Sequence, residues 1–241
     1  MMRLDKFLVS MNLGSRSQVK NFIKKGQITI DGTICKDDGY KFDENTCIVC
    51  YLGQPLQYTK YVYYMLHKPA GVVSATKDNH DKTVLELLNN VSAKDLFPVG
   101  RLDKDTEGLL IITNDGALAH TLLSPKKHVD KTYQVTLRDE ISEAAIEQLK
   151  KGVDIGEPKL TLPAKVEEMD KHTILLTIQE GKFHQVKRML HAVQNEVLYL
   201  KRISFGSIKL DETLNPGEFR LLTDVEIASL QKDAGENRRN I

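Results

Sequence analysis

The chain centres on one stretch, Val99-Gly100-Arg101-Leu102-Asp103-Lys104-Asp105-Thr106-Glu107-Gly108-Leu109-Leu110-Ile111-Ile112-Thr113, in which a charged loop runs directly into large aliphatic residues. Gly108 precedes the aliphatic run and the turn-forming Asn114-Asp115-Gly116 follows it, a pattern typical of a buried strand that ends in a tight turn. We therefore expect the charged loop to be anchored to the core of the protein.

The charges of this loop allow two interpretations. A solvated loop with local ion pairs is the ordinary arrangement for three acids near two bases. A functional site would instead hold one or two of these side chains in a partly dry cleft, each with a charged partner. The residues alone leave both interpretations open.

Length and composition limit the class of protein. The 241 residues suffice for one large domain or for a small domain and a larger one, and 41% hydrophobic content allows real cores. No apolar run approaches the roughly 20 residues that span a bilayer. Residues 1–6 also lack the uninterrupted apolar segment of a signal peptide. We therefore expect a globular protein of the cytoplasm.

The charges are unevenly distributed, although the net charge is only +1. Residues 1–25 hold six Lys or Arg against Asp5 alone, and residues 181–209 hold six against Glu196 alone. Residues 139–170 carry nine acids and four lysines. Two basic segments in a nearly neutral chain suit an extended polyanion as the partner.

The N-terminal residues predict a small unit of two helices and a small sheet. Ser15-Arg16-Ser17-Gln18 is a capping-box pattern that begins the second helix, and Gly26 ends it. Ile28 to Ile34 reads as a short hairpin that turns at Asp31-Gly32, and Cys47 to Tyr51 as another strand. Arg16, Lys20 and Lys24 are four residues apart, so they form a basic stripe along the second helix.

This unit resembles the S4 RNA-binding domain over about the first 59 residues. The resemblance rests on Arg3-Leu4-Asp5-Lys6-Phe7-Leu8, Ser15-Arg16-Ser17 and Gly26-Gln27-Ile28-Thr29-Ile30-Asp31-Gly32. It implies binding of structured RNA. Phosphate contacts are expected from Arg3, Arg16, Lys20 and Lys24.

A second domain is expected over residues 60–235, followed by a polar tail over 236–241. The hydrophobic patterns predict many strands and few intervening helices, so the fold class is α+β with a mainly antiparallel sheet. The predicted strands are Tyr61–Leu66, Val72–Ser74, Leu109–Thr113, Lys131–Leu137, Thr173–Ile178, Val197–Leu200 and Phe219–Leu222. The predicted helices are Thr83–Leu88, Ala117–Leu123, one from Ser142 to Gly152, one within the stretch Glu180–Leu190 that turns Val186, Met189, Leu190 and Val193 inward, and Val225–Leu230.

The cysteines do not suggest a metal site. Cys47 and Cys50 have C-x-x-C spacing, but Ile48 and Val49 between them favour a strand, which points the two thiols to opposite faces. No second cysteine pair or nearby histidine completes a zinc site. Because Cys35 leaves the total odd, a disulfide framework is not expected either. We predict buried structural cysteines and no bound metal.

Further motifs follow one another through the second domain. They are Lys68-Pro69-Ala70-Gly71, Gly100-Arg101-Leu102-Asp103 with Thr106-x-Gly108-Leu109-Leu110, Asn114-Asp115-Gly116, Lys131-Thr132-Tyr133, and Glu180-Gly181-Lys182 with Gln185-Val186-Lys187-Arg188-Met189. In this order they resemble the RsuA/RluB/E/F family of pseudouridine synthases, in which an S4-like domain precedes the catalytic domain. The resemblance spans almost the whole chain and implies isomerisation of uridine to pseudouridine in ribosomal RNA without a cofactor.

The resemblance also implies the site residues. The family's catalytic aspartate falls on Asp103, its base-stacking tyrosine on Tyr133, and the basic partner of the aspartate on Lys187. Many relatives have arginine at the last position, and lysine keeps the charge while giving up the planar fork. Asp5 repeats the tripeptide Arg-Leu-Asp on a predicted helix, without the strand that follows Asp103, and we assign it no chemistry.

Four further basic residues are implied as RNA contacts. Arg101 is expected to help extrude the target nucleotide, because a base inside RNA structure cannot reach a pocket without flipping. Lys182, Arg188 and Lys201 are expected to contact phosphates.

The target is inferred from the sequence of residues 184–188, His-Gln-Val-Lys-Arg. It resembles the RsuA type more than the arginine-rich form of large-subunit enzymes, so we expect a uridine of small-subunit 16S rRNA as the target. We also expect a monomeric protein with no membrane partner. Two alternatives stay open, a 23S rRNA synthase of the same family and a non-catalytic S4-type RNA-binding or ribosome assembly factor. A hydrolase that uses Asp103 and Asp105 would need a metal or a water-activating pair that the spacing does not support.

Overall fold

The computed structural model describes residues 1–11, 13–44, 46–56, 60–89, 91 and 93–235. The chain divides into two compact units, Met1–Lys60 and Tyr61–Ile241. Among the described residues, no helix has the length and apolar character needed to cross a membrane. The predicted polar tail over 236–241 lies outside the described residues.

The N-terminal unit has helices at its start and short strands after them. Its elements are β1 (Met2–Arg3), α1 (Leu4–Ser10), α2 (Arg16–Lys24), β2 (Ile28–Ile30), β3 (Thr33–Ile34), β4 (Lys41–Phe42), β5 (Val49–Tyr51) and β6 (Gln54–Pro55). β1 pairs with β4, and the other strands form a sheet in the order β3-β2-β5-β6. The predicted capping box is present, since the Ser15 hydroxyl accepts from the Gln18 N–H and the Gln18 side chain accepts from the Ser15 N–H.

The core of this unit lies between the helices and the sheet. α1 and α2 bury their apolar faces, including Phe7 and Ile23, against Ile28 of β2 and Phe42 of β4. The rings of Phe7 and Phe42 meet edge to face at 5.1 Å between centroids, an arrangement that aromatic pairs favour. Burial of these side chains leaves the basic positions of α2 facing solvent.

The C-terminal unit is a long sheet with helices on it. Its strands are β7 (Tyr63–Lys68), β8 (Phe97–Pro98), β9 (Glu107–Thr113), β10 (Lys131–Leu137), β11 (Lys165–Asp170), β12 (Thr173–Ile178), β13 (Val197–Phe205), β14 (Ile208–Lys209) and β15 (Phe219–Leu221). Its α-helices are α3 (Gly116–Leu123), α4 (Glu143–Lys151), α5 (Gln185–Ala192) and α6 (Asp224–Asp233), with 3₁₀ helices at Val84–Leu87 and Pro125–Lys127.

The sheet has the order β11-β12-β10-β13-β9-β7-β15, with β14 on β13 and β8 on β9. β9 and β13 run parallel, while β10 pairs antiparallel with both β12 and β13. The prediction of an α+β fold with a mainly antiparallel sheet is confirmed.

β9 is buried on both faces of this sheet. Leu110 and Ile112 pack into one apolar cluster, and Leu109 and Ile111 pack into another on the opposite face. A strand that is buried on both faces reads in the sequence as a continuous apolar run rather than an alternation. The loop before β9 is thus mounted on the most deeply buried strand of the unit, as its sequence predicts.

Some predictions about elements were wrong. Val72–Ser74 is not a strand, because only an isolated bridge joins Val73 to Thr83. The strand predicted to end at Leu66 continues through His67 and Lys68 as β7, and Lys68 pairs with Gly108 of β9. The acidic strand β11 was missed, since its exposed side chains lack the apolar alternation that identifies β12.

The cysteines also differ from the prediction. Cys35, Cys47 and Cys50 are free thiols, and each is half-buried rather than buried. Cys35 and Cys47 lie just outside strands β3 and β5 and pack partly against the apolar core of the unit, and Cys50 lies in the inner strand β5.

Candidate active site

The charged loop before β9 is held in place by a buried lysine. Lys68, at the end of β7, is fully buried, and its ammonium donates to the backbone carbonyls of Pro69, Lys104 and Thr106 at 3.0, 3.3 and 2.8 Å. Desolvation lowers the pKa of this ammonium to about 8. Lys68 therefore fixes the backbone on either side of Asp105.

A buried serine fixes the other end of the loop. The Ser74 hydroxyl donates to the Leu102 carbonyl at 2.9 Å and accepts from the Leu102 N–H at 3.0 Å. The Gly71 N–H adds a bond to the Lys104 carbonyl at 2.7 Å. Because backbone groups on both sides of Asp103 are tied to buried partners, the direction of its side chain is set before any substrate binds.

The Asp103 carboxylate faces two basic side chains at the start of α5. Lys187 Nζ lies 3.4 Å from one oxygen, and His184 Nε2 lies 3.7 Å from the other. The Asp103 side chain is 27% exposed, so solvent and ligand can still reach it. The geometry gives a half-buried carboxylate with a cation beside it and oxygen atoms left open.

Lys187 is shared with a second carboxylate. Its ammonium lies 2.6 and 2.8 Å from the two oxygens of Asp105, closer than to Asp103, and the Asp105 side chain is 72% exposed. The hydrogen bond from Lys187 lowers the pKa of the Asp105 carboxyl. The sequence pattern predicts the pairing with Asp103 but does not identify Asp105 as the nearer partner.

Asp103 and Tyr133 line one cleft of about 1070 Å³. Tyr133 projects from β10 and is only 7% exposed. Lys187 reaches Asp103 from a neighbouring cavity of about 1020 Å³, and His184 lines both spaces. Of the three predicted catalytic residues, two face the same cleft and the third binds the carboxylate from its other side.

The predicted RNA contacts of this unit have different surroundings. Arg101 is exposed and lines the cleft with Lys182, whose ammonium lies 3.0 Å from Glu180. Arg188 donates to Glu157 at 3.0 Å and to the carbonyls of Phe183 and Ile155, and Lys201 is half-buried on β13. Arg101 and Lys182 are therefore the two that open directly onto the cleft.

The basic residues of the N-terminal unit lie on its solvent-facing side. Arg3 pairs with Asp5 at 3.0 Å, and Lys20 pairs with Asp38 at 2.8 Å. Arg16 and Lys24 are exposed on α2.

Sequence reasoning missed part of the site. Lys68 and Lys131 were quoted in motifs without a role, and Ser74 and Arg202 were not singled out. Arg202 had a usable signal, because it occupies an inward position of β13, in step with the buried Leu200. A charged residue at a core position of a strand requires a partner or a ligand.

Comparison with known proteins agrees with this fold. Residues 62–192 match the family model described as RNA pseudouridylate synthase, and residues 2–46 match the S4 domain. The chain belongs to the RNA pseudouridylate synthase family, and its N-terminal unit carries an S4 domain. The reaction class of the enzyme is the isomerisation of uridine to pseudouridine in RNA.

Three relatives show how far the likeness extends. The chain is 49% identical to an uncharacterized RNA pseudouridine synthase, YtzG, of Bacillus subtilis (strain 168), covering 96% of this chain and 99% of the relative. It is 44% identical to the ribosomal small subunit pseudouridine synthase A of Vibrio cholerae serotype O1 (strain ATCC 39315 / El Tor Inaba N16961), covering 96% and 100%. A crystal structure of a pseudouridylate synthase matches with a TM-score of 0.68 and 37% identity, covering 95% and 100%.

Proposed function

We propose that this enzyme converts a specific uridine of small-subunit 16S rRNA to pseudouridine, with Asp103 as the catalytic carboxylate. The observation that carries the site is the half-buried Asp103 carboxylate, held beside Lys187 and open to the cleft that Tyr133 lines. The target follows from relatives that are named ribosomal small subunit pseudouridine synthase A and are 43 to 44% identical over nearly the whole chain.

The reaction requires one group to act at the sugar while the base is held. The N1–C1′ bond of uridine breaks, the base turns, a C5–C1′ bond forms and the C5 proton is lost. A carboxylate at the position of Asp103 serves as a nucleophile toward C1′ or stabilises and deprotonates a glycal intermediate. Tyr133 stacks on the base, and the Lys187 ammonium, 3.4 Å from the Asp103 carboxylate, offsets its negative charge.

The RNA is held by basic side chains at the cleft and on the S4 domain. Arg101 at the mouth of the cleft helps flip the target nucleotide out of the RNA. Lys182, Arg188 and Lys201 contact phosphates, and Arg3, Arg16, Lys20 and Lys24 extend the contact to a second RNA segment. The reaction is an isomerisation with no net oxidation or added group, so it needs no cofactor. The proposal places it in the cytoplasm on a monomeric enzyme.

The first test removes the carboxylate charge. Asp103→Asn keeps the shape of the side chain but cannot act as nucleophile or base, so pseudouridine formation in small-subunit rRNA should be abolished while the Kd for RNA stays within about twofold. The matched control is Asp139→Asn, which changes an exposed carboxylate of the same unit bound to Arg138. Turnover by a pure Asp103→Asn preparation would overturn the site assignment.

The target is tested in the cell. Deleting the gene and mapping carbodiimide-reactive pseudouridines across total rRNA should remove one position from 16S rRNA. Loss of a 23S position instead would overturn the proposed target and leave the reaction class intact. If no position is lost and the purified enzyme does not modify unmodified rRNA or subunit precursors, the non-catalytic S4-type binding factor becomes the better account.

A further inference from the structure

Two buried cations lie at the floor of the cleft, apart from the predicted catalytic residues. Arg202 on β13 is 2% exposed, Lys131 on β10 is 8% exposed, and both line the cleft. The Arg202 guanidinium carbon and the Lys131 ammonium each lie 5.4 Å from the centre of the Phe205 ring. We call Arg202 and Lys131 the floor pair.

The floor pair has too few partners for its charge. Arg202 Nε donates to the Leu109 carbonyl at 2.8 Å, but its Nη2 is buried without a hydrogen-bond partner in the described part of the chain. Lys131 donates to the Val129 carbonyl at 2.8 Å, and burial lowers the pKa of its ammonium to about 8, with the nearby Arg202 adding to the effect. A buried charge that lacks a partner is costly, so such an arrangement persists where it serves a ligand.

The nearest acid does not neutralise the floor pair. Asp130 adjoins Lys131 in the chain and attracts it, but its two oxygens are occupied by Lys165 at 3.0 Å and by the Gln179 amide at 2.8 Å. No carboxylate among the described residues forms an ion pair with Arg202 or Lys131. The cleft thus offers an anion two positive charges in a water-poor setting.

The strand register places the floor pair beside the proposed base-stacking ring. Arg202 lies directly opposite Tyr133 in the β10–β13 pairing, so the two side chains share a face of the sheet. Lys131 is two residues before Tyr133 on the same strand and shares that face as well. A base stacked on Tyr133 therefore lies on the same face of the sheet as both cations.

The reaction of uridine produces an anion that two buried cations can bind. When the N1–C1′ bond breaks, its electron pair stays with the base, and the negative charge spreads over N1, O2 and O4. We propose that Arg202, assisted by Lys131, stabilises this uracil anion, with the free Nη2–H of Arg202 donating to a carbonyl oxygen of the base. This inference rests on the proposed function, because it takes the base to lie against Tyr133.

The step balances without another reactant. C1′ bonds to the Asp103 carboxylate, or its sugar forms a glycal by transferring the C2′ proton to that carboxylate and later recovering it. C5 of the detached base then donates its electron pair to C1′, and in the first route the C1′–O bond to Asp103 breaks and returns the free carboxylate. The C5 proton passes to water and N1 takes up a proton from water, so the product is an isomer of the substrate. The floor pair acts where the charge on the base is greatest, so its interaction strengthens between the bound substrate and the transition state.

The test compares substitutions that remove charge inside and outside the cleft. Arg202→Gln keeps a hydrogen-bond donor near the position of Nε and loses both the charge and the Nη2 donor. The control is Arg220→Gln on β15, which removes a guanidinium bound to Asp211 and Glu226. All variants are full-length, and circular dichroism verifies folding at the assay temperature. The substrate is the rRNA modified by the wild type, with tritium at C5 of uridine.

We expect Arg202→Gln to lower the single-turnover rate by about 100-fold or more, as removal of one oxyanion donor does in other enzymes. Its Kd for RNA should stay within about twofold, and Arg220→Gln should stay within about twofold of the wild type in both quantities. Arg202→Lys should recover part of the rate. If Arg202→Gln does not fold, Lys131→Gln takes its place, with an expected loss of about tenfold or more in rate.

A second substrate separates charge stabilisation from packing. Fluorine at C5 makes the uracil anion more stable, so RNA with 5-fluorouridine at the target should depend less on Arg202. The rate ratio of wild type to Arg202→Gln, followed by loss of 5-fluorouridine, should be at least about tenfold smaller than with uridine. Equal ratios for the two substrates, or a loss confined to Kd, would overturn the role of the floor pair. Absence of turnover by the wild type would instead count against the proposed function.

Discussion

The tripeptide Arg-Leu-Asp occurs at residues 3–5 and 101–103, and the surroundings of the two aspartates differ. Asp5 is bound by Arg3 through both carboxylate oxygens, at 3.0 and 3.1 Å, and this pairing lowers the pKa of the Asp5 carboxyl. Asp103 has its basic partners at 3.4 Å and beyond, and it lines a cleft. Arg3 thus occupies both carboxylate oxygens of Asp5, whereas the carboxylate of Asp103 opens onto the cleft.

Gly108 is the residue on which the attachment of the Asp103 loop to β9 depends. Its φ is +106°, and a Cβ there would overlap the carbonyl oxygen of Arg202 and come within 2.7 Å of the Arg202 backbone nitrogen. We expect Gly108→Ala to lower the free energy of unfolding by about 3 kcal/mol or more, through backbone strain and overpacking together. Urea unfolding followed by circular dichroism measures the loss.

Gly71→Ala is the matched control for this change. Gly71 also has a positive φ, +88°, but a Cβ there meets no atom within 4 Å. It should therefore cost only about 1 kcal/mol. Equal losses for the two alanines would contradict a close approach between β9 and β13, whereas failure of Gly108→Ala alone to fold would support it.

Helix α5 is the element that brings basic side chains to the loop. His184 precedes it in a left-handed conformation, φ +49°, and Lys187 lies in its first turn, 82 residues along the chain from the Asp105 that it binds. Val186, Met189 and Leu190 bury the opposite face of the helix. The helix is therefore seated by its apolar residues and presents its charged residues to the loop.

Replacing Lys187 tests this element. Lys187→Met should lower the single-turnover rate by about 10² to 10³, since two neighbouring carboxylates lose their shared cation. Lys187→Arg keeps the charge and should stay within about tenfold of the wild type. In Lys187→Met the pKa of the Asp105 carboxyl should rise towards its ordinary range, which carboxyl NMR titration measures. An unchanged Asp105 titration would show that the ion pair does not form in solution.

At the scale of the whole molecule, the chain combines an S4 domain with a catalytic unit. The basic stripe on α2 belongs to the N-terminal unit and the basic side chains of the cleft to the C-terminal unit, so the proposed RNA contacts are divided between the two units. Each phosphate contact releases condensed counterions, which makes binding depend on salt concentration. The two units should therefore contribute separately to the salt dependence of RNA binding.

Arg16→Gln with Lys24→Gln tests the contribution of the S4 domain. The double change should reduce the slope of log K against log salt concentration by about 1 to 2, because up to two phosphate contacts are lost. It should weaken binding with little change in the single-turnover rate at saturating enzyme. Lys150→Gln, on the exposed face of α4 beside Glu147, is the control and should leave the slope unchanged. A slope that falls equally for both would contradict a specific RNA surface on α2.

Patterns between residues close in sequence predict most of the helices and strands, and ordered motifs show the resemblance to a family. The capping boxes, the alternation in β10 and β12 and the apolar run of β9 are signals between residues a few positions apart, and they predict those elements closely. Asp103, Tyr133 and Lys187 were chosen by resemblance to ordered motifs. The charges of the loop taken by themselves favour a solvated loop over a site.

The remaining features of the site depend on contacts between residues far apart in the sequence. Lys68 reaches a carbonyl 38 residues away, Ser74 one 28 residues away and Arg202 one 93 residues away, and no local pattern encodes such pairs. The fold settles which charges are buried and which face water, because burial depends on the packing of strands that are remote in sequence. It is this packing that makes Lys187 a shared partner and leaves Arg202 buried with an unused donor at the floor of the cleft.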